Sequence, residues 1–179
     1  MIREALLTPN EFSRPGLTMR KVEAIVLHWV ANPGSTAEGN RRYFESLKDG
    51  SRKASAHYII DSWEIVHAVP DNEVAYHCGQ PAGQPYTPWA VAKWGAEHPN
   101  WYTLGIEHCH PDWSGIWERG VIQRSHVLAA GLCLRHGLDP TTDIVTHFTI
   151  TGKECPRWFV VDPRQLAVYR DAVMGILEV

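Results

Sequence analysis

Hydrophobic and polar positions alternate along the chain in short blocks that change period several times. Ala24-Ile25-Val26-Leu27-His28-Trp29 is an apolar run rich in β-formers and predicts a buried strand. Asn32-Pro33-Gly34 breaks it, Ser35 or Thr36 can cap a helix, and that helix should run to about Leu47 before Asp49-Gly50 stops it. Ala56 to Ile60 and Glu64 to Val69 read as two strands joined by a tight turn around Asp61-Ser62. From Pro70 to Tyr102 the periodicity dissolves into Pro, Gly, Trp and His, with one short helix expected near Trp89–Trp94. Thr103 to His108 is a further strand, and Ser125 to His136 an amphipathic helix closed by Gly137. Ile144 to Thr146 is a short strand, His147 to Phe159 a loop, and Pro163 to Leu177 a last helix. The opening through about Lys21, with Pro9, Pro15 and Gly16, reads as an irregular arm. Strands and helices alternate and a hairpin interrupts them, so the expected fold class is α/β with a central mixed sheet flanked by helices.

Length and charge narrow the classes. At 179 residues the chain suits one domain, with no repeat, charge run or low-complexity linker at which to divide it. A domain of this size buries roughly 70% of its unfolded surface and needs no staples. Lys and Arg number 17 against 20 Asp and Glu, a balance that argues against nucleic acid as a partner. No apolar stretch is long enough to insert in a membrane. The first residues lack a basic stretch followed by an apolar core, so synthesis in the cytoplasm without a signal peptide is expected. Cys78, Cys109, Cys133 and Cys155 are widely spaced, and in a reducing compartment they read as free thiols or metal ligands. Ten histidines and eight tryptophans hint at a metal site and at a flat, extended ligand.

The segment Thr146-His147-Phe148-Thr149-Ile150-Thr151-Gly152-Lys153-Glu154-Cys155-Pro156 concentrates the chemistry. A histidine at a strand end and a cysteine in the following loop can converge on one cation if the loop folds back. Imidazole and thiolate are donors that zinc prefers. His28, closing the first apolar run, is the natural third ligand. Taken singly, each of the three is better explained as a packed core residue; as a set, with Lys153 between two of them, they favour zinc. Three protein ligands leave a fourth position open, as in catalytic zinc sites. Lys153 could stabilise an oxyanion, and Glu107 could act as base because Ile106 and Glu107 face opposite sides of their strand. The bland alternatives are a solvated loop lysine and an edge carboxylate.

These features occur in a familiar order. His28 after Ile25-Val26-Leu27, His57-Tyr58 before Ile59-Ile60, Ala75-Tyr76-His77-Cys78-Gly79, Asn100 before Leu104-Gly105-Ile106-Glu107, and the His147-to-Cys155 segment resemble the zinc-dependent N-acetylmuramoyl-L-alanine amidases of phage endolysin and sporulation type. That family is related to the peptidoglycan recognition proteins. The resemblance runs from about Val22 to Trp158, and Ser13-Arg14-Pro15-Gly16 is similar to the arm of such amidases. It implies a peptidoglycan-recognition-protein-like fold, one Zn2+ per chain on His28, His147 and Cys155, Glu107 as catalytic carboxylate, Lys153 as oxyanion-stabilising cation and His77 in the substrate groove. The implied reaction hydrolyses the amide between the lactyl group of N-acetylmuramic acid and L-alanine of the stem peptide. Some phage members carry a catalytic tyrosine where Ala56 stands, and the role does not transfer to Tyr58.

Residues 1–179 are therefore expected to form a single amidase catalytic domain, with residues 1–21 as its arm and no separate wall-binding domain. Peptidoglycan or muropeptide is the expected partner, reached after release in phage-type lysis or met as wall fragments. Two other readings share these residues: a muropeptide-binding module without catalysis, and a cytoplasmic amidase recycling soluble muropeptides. Cys155, Glu107 and Lys153 together favour a hydrolase. Trp89, Trp94, Trp101, Trp113 and Trp117 could wall a glycan groove or simply stiffen the long loop, and His108-Cys109-His110 cannot chelate together along one strand.

Overall fold

A computed structural model describes residues 2–80 and 83–178. Its centre is a six-stranded sheet in the order β1-β4-β3-β5-β2-β6. The strands are β1 (Ile2–Glu4), β2 (Ala24–Trp29), β3 (Tyr58–Ile60), β4 (Ile65–His67), β5 (Thr103–His108) and β6 (Ile144–Thr146). β3, β5, β2 and β6 run parallel, β4 turns back antiparallel to β3, and β1 pairs parallel with β4. The sheet is mixed, as the hairpin requires. β2 lies inside it, and Ala24 to Leu27 are wholly buried, which is why its sequence is continuously apolar rather than alternating.

Helices cover both faces. On one, α3 (Arg119–His136) and α7 (Arg164–Leu177) pack over Ile25, Leu27, Leu104, Ile106 and Ile144. On the other, α1 (Ala37–Ser46) covers Ile59 and Val66, while α2 (Pro88–Trp94) and α5 (His147–Thr151) cover Ala24, Val26 and Val145. Two short helices, α4 (Pro140–Asp143) and α6 (Arg157–Val161), complete the set. α1 starts where Thr36 accepts from Gly39 N at 3.0 Å, and α2 where Thr87 accepts from Ala90 N with Pro88 in its first turn. α3 ends at Gly137, whose φ of 66° is left-handed.

Three expectations need correction. β1 lies within the segment read as an irregular arm, because Ile2–Glu4 finds an unpaired edge at β4. α3 begins at Arg119 rather than Ser125; its N-cap Glu118 makes no side-chain capping bond, so no local signal marks the start. The stretch 147–159 is not a loop but contains α5 and most of α6. The long connection from Pro70 to Tyr102 does hold only one α-helix among its described residues, with 81 and 82 outside them.

Candidate metal centre and active site

The carboxyl ends of β2, β5 and β6 lie side by side, and a crevice opens beyond them. His28 is the last but one residue of β2 and sits in register with Glu107 on β5. Side chains alternate along each strand, so Leu27 and Ile106 enter the core under α3 while His28 and Glu107 line the crevice. His147 follows β6 directly as the first residue of α5.

α5 exists because Thr146 and Thr149 cap one another. Thr146 Oγ1 accepts from Thr149 N at 3.1 Å, and Thr149 Oγ1 accepts from Thr146 N at 3.4 Å. Gly152, at a φ of 74°, ends the helix in the left-handed region. The chain then doubles back: Phe148 N donates to Cys155 O at 2.9 Å, and Cys155 N donates to Lys153 O at 2.6 Å. Lys153 and Cys155 thereby face the same cavity as His147.

His28, His147 and Cys155 each offer a ligand atom, and these lie within 4.8 Å of one another. His28 Nδ1 is 3.6 Å from Cys155 Sγ, and the two imidazole centroids are 4.7 Å apart. All three residues are buried. Burial, then the charges of neighbouring His147, His77 and Lys153, hold His28 well below the usual histidine range. Burial and then Lys153 bring His147 down to about 4. Both rings are neutral at neutral pH, the form that ligates. Burial pushes the Cys155 thiol up, so a cation would have to draw off its proton.

The donor set passes a test independent of its identity. His147 Nε2 lies 3.0 Å from the carbonyl of Gly79, which can only accept, so the proton sits on Nε2. His147 Nδ1 is then a bare lone pair, and it is buried with no partner among the described residues. Such an atom carries a cost that a metal ion would relieve.

The surrounding cavity has a volume of about 790 Å³ and takes Trp29, Tyr43, Arg52, Lys53, Tyr76 and Lys153 into its lining. Glu107 is half-buried at its edge, with Oε2 sealed from water and without a hydrogen-bond partner among the described residues. Burial lifts its carboxyl to about 8, and Lys153 pulls against that rise.

The family model for N-acetylmuramoyl-L-alanine amidase matches residues 18–158. The chain belongs to the N-acetylmuramoyl-L-alanine amidase family. The amidase BlyA of Bacillus subtilis (strain 168) is 36% identical over 169 residues, covering 92% of this chain and 44% of that protein. CwlL of Bacillus licheniformis is 34% identical over 170 residues, with 94% and 45% covered. The chain thus spans less than half the length of these curated relatives. Among solved structures, PlyL superposes with a TM-score of 0.75 at 20% identity, over 97% of this chain and 96% of that one. The catalytic domain of XlyA gives 0.73 at 23%, over 97% and 99%. The chain therefore has the peptidoglycan-recognition-protein-like fold.

Within this fold, His28, Glu107, His147, Lys153 and Cys155 meet at one cavity. His77 reaches the same lining from below: it is 6% exposed and lies under His28, with Nδ1 3.0 Å from His28 Nε2. Tyr58 faces away, into the core under α3, with its hydroxyl donating to Asp71 at 2.5 Å. Trp89 and Trp94 belong to α2 and pack on the cluster around Val26 and Val145, Trp117 stacks on His108 in the main core, and Trp101 lies against Arg20. Trp113 is exposed and meets the edge of Trp29. His108, Cys109 and His110 diverge: His108 binds Ser125 on α3, Cys109 contacts Asn40 on α1, and His110 stacks on Trp29. All four cysteines are free and buried.

The structure also gives supporting roles to residues that had no role assigned in the sequence analysis. Gly79 offers only a carbonyl, to His147. Asn100 Oδ1 accepts from Cys78 N at 2.9 Å and so holds the loop bearing His77. Arg52, Lys53 and Tyr43, none of them singled out in the sequence, also enter the lining. No helix of the described residues is long and apolar enough to cross a membrane.

Proposed function

We propose that the chain is a single catalytic domain that hydrolyses the amide between the lactyl group of N-acetylmuramic acid and L-alanine of the peptidoglycan stem peptide, with one Zn2+ held by His28, His147 and Cys155. One observation carries this reading: three neutral or ionisable donors converge within 4.8 Å at the wall of a cavity that also receives a carboxylate and a lysine. Family membership supports the substrate class. Zinc in such a site polarises a carbonyl and makes water a nucleophile near neutral pH.

The chain's own groups do the rest. Glu107 takes the proton from the attacking water and delivers it to the departing nitrogen, a role suited to a carboxyl raised by burial toward neutral pH. The ammonium of Lys153 stabilises the oxygen that becomes negative as water adds to the carbonyl carbon. The carbon–nitrogen bond breaks, leaving a lactyl carboxylate and a peptide with a free L-alanine amine. Trp29, Tyr43 and Tyr76 offer flat faces to sugar and peptide along the cavity. Such an activity is bacteriolytic when the enzyme reaches an intact wall, as an endolysin does.

Zinc content measured alongside release of N-terminal alanine from purified peptidoglycan, with and without chelator, tests the reading. Stoichiometric zinc and chelator-sensitive alanine release support it. Zinc with muropeptide binding but no release makes the domain a recognition module instead.

A further inference from the structure

His28 must present Nδ1, not Nε2, to the other two donors, and a neutral imidazole has only one bare nitrogen. What decides which one is bare lies beneath it. His77 Nε2 sits 3.1 Å from Thr103 O and 3.2 Å from Thr103 Oγ1. The carbonyl has no proton to give, and the Thr103 hydroxyl spends its own on Pro99 O at 2.9 Å. His77 Nε2 must therefore be the donor. Among the described residues no carboxylate hydrogen-bonds the His77 ring, which is buried and so neutral, leaving Nδ1 as an acceptor. Facing it are His28 Nε2 at 3.0 Å and the Cys78 thiol at 3.3 Å; two bare lone pairs 3.0 Å apart would repel, so His28 Nε2 carries the proton. The chain of assignments ends with His28 Nδ1 bare, 3.6 Å from Cys155 Sγ.

We propose that His77 is a positioning residue for the metal centre: by accepting from His28 Nε2 it holds His28 in the one tautomer and orientation that aims Nδ1 at His147 and Cys155, and Gly105 is the seat that lets it do so. This deepens the zinc reading above and rests on it. A Cβ at position 105 would lie 2.6 Å from His77 Cγ and 2.7 Å from Nδ1, closer than side chains approach. Gly105 stands beside Val26 on β2, two residues before Glu107 on the cavity-facing side of β5, so only a residue without a side chain leaves room for a ring there. The strain-free fit of His77 is thus written into a glycine that touches no ligand. The geometry competes with two alternatives: a substrate-contacting His77, and a second cation shared by His28, His77 and Cys78, whose donor atoms also lie within 4.8 Å of one another.

Imidazole nitrogen NMR of chelator-treated, 15N-histidine-labelled protein reads the tautomer directly. The expected result is His28 protonated at Nε2. Zinc affinity by chelator competition should fall 10- to 100-fold in His77→Phe, which keeps a ring but loses the acceptor. His77→Asn, whose Oδ1 falls near the lost Nδ1, should recover most of that loss, and Gly105→Ala should behave like His77→Phe. A His28 proton on Nδ1 overturns the proposal. So does unchanged zinc affinity in His77→Phe with a raised KM, or binding of two zinc equivalents by the wild type. If His77→Phe does not fold, the wild-type tautomer and His77→Asn still decide. Zinc binding without amide cleavage in the wild type overturns only the reaction, since tautomer and affinity are read without substrate.

Discussion

Glu107→Gln should make the metal-free protein more stable at alkaline pH while abolishing most of its turnover. Burial raises this carboxyl from 4.5 to about 8. Between those values the folded protein holds a proton that the unfolded chain has released. Unfolding then releases a proton, and stability falls as pH rises. The full rise is equivalent to about 5 kcal/mol at ~1.36 kcal/mol per pKa unit. Glu107 is half-buried at an open cavity, so screening brings the expected effect to roughly 2–4 kcal/mol. The amide has the carboxyl's shape and no charge to desolvate. Urea unfolding of chelator-treated protein should therefore show variant and wild type nearly equal at pH 5, with the variant ahead by that amount at pH 8.5. Adding zinc should shrink the gap, because a nearby dication favours the carboxylate. Turnover on peptidoglycan should fall by about 100-fold or more, the usual contribution of a general base. A gap equal at both pH values would refute the burial argument, and full turnover would remove Glu107 from the chemistry.

Lys153→Met should lower kcat and, by deleting the charge that pulls Glu107 down, move the acidic limb of the pH–rate profile to higher pH; an unmoved limb would separate the two groups. Cys155→Ser should weaken zinc retention measured by chelator competition, since a hydroxyl replaces the thiolate, and undiminished affinity would displace Cys155 from the ligand set. Ser125→Ala should destabilise the fold by about 1–3 kcal/mol in chemical denaturation. It strips the donor from buried His108 Nε2 at 2.7 Å, whose Nδ1 donates to His28 O at 2.7 Å. A cost near zero would mean that Tyr169, 2.6 Å from Ser125 Oγ, takes over the bond.

The chain by itself determined whatever depends on local pattern. The apolar run of β2, the hairpin of β3 and β4, and the stop at Gly137 follow from side-chain period and glycine conformation, which neighbours in sequence control. The same holds for the alternation that sends Ile106 inward and Glu107 outward. The grouping of His28, Glu107, His147, Lys153 and Cys155 rested instead on donor chemistry and family resemblance, and it is the fold that brings these distant residues to one cavity. α5 was also legible in principle, through Thr146, Thr149 and Gly152, but its helix is five residues long and has too little periodicity to stand out. β1 and the start of α3 were not, because one borrows a sheet edge 61 or more residues away and the other lacks a capping side chain.

Only the tertiary structure decided which nitrogen of each histidine is free. That choice depends on the Gly79 and Thr103 carbonyls and on a Thr103 hydroxyl committed to Pro99, none of which has a distinctive side-chain signal for the role. A residue's type states what it can donate or accept; its partners, brought together across the sheet, state which of these it does.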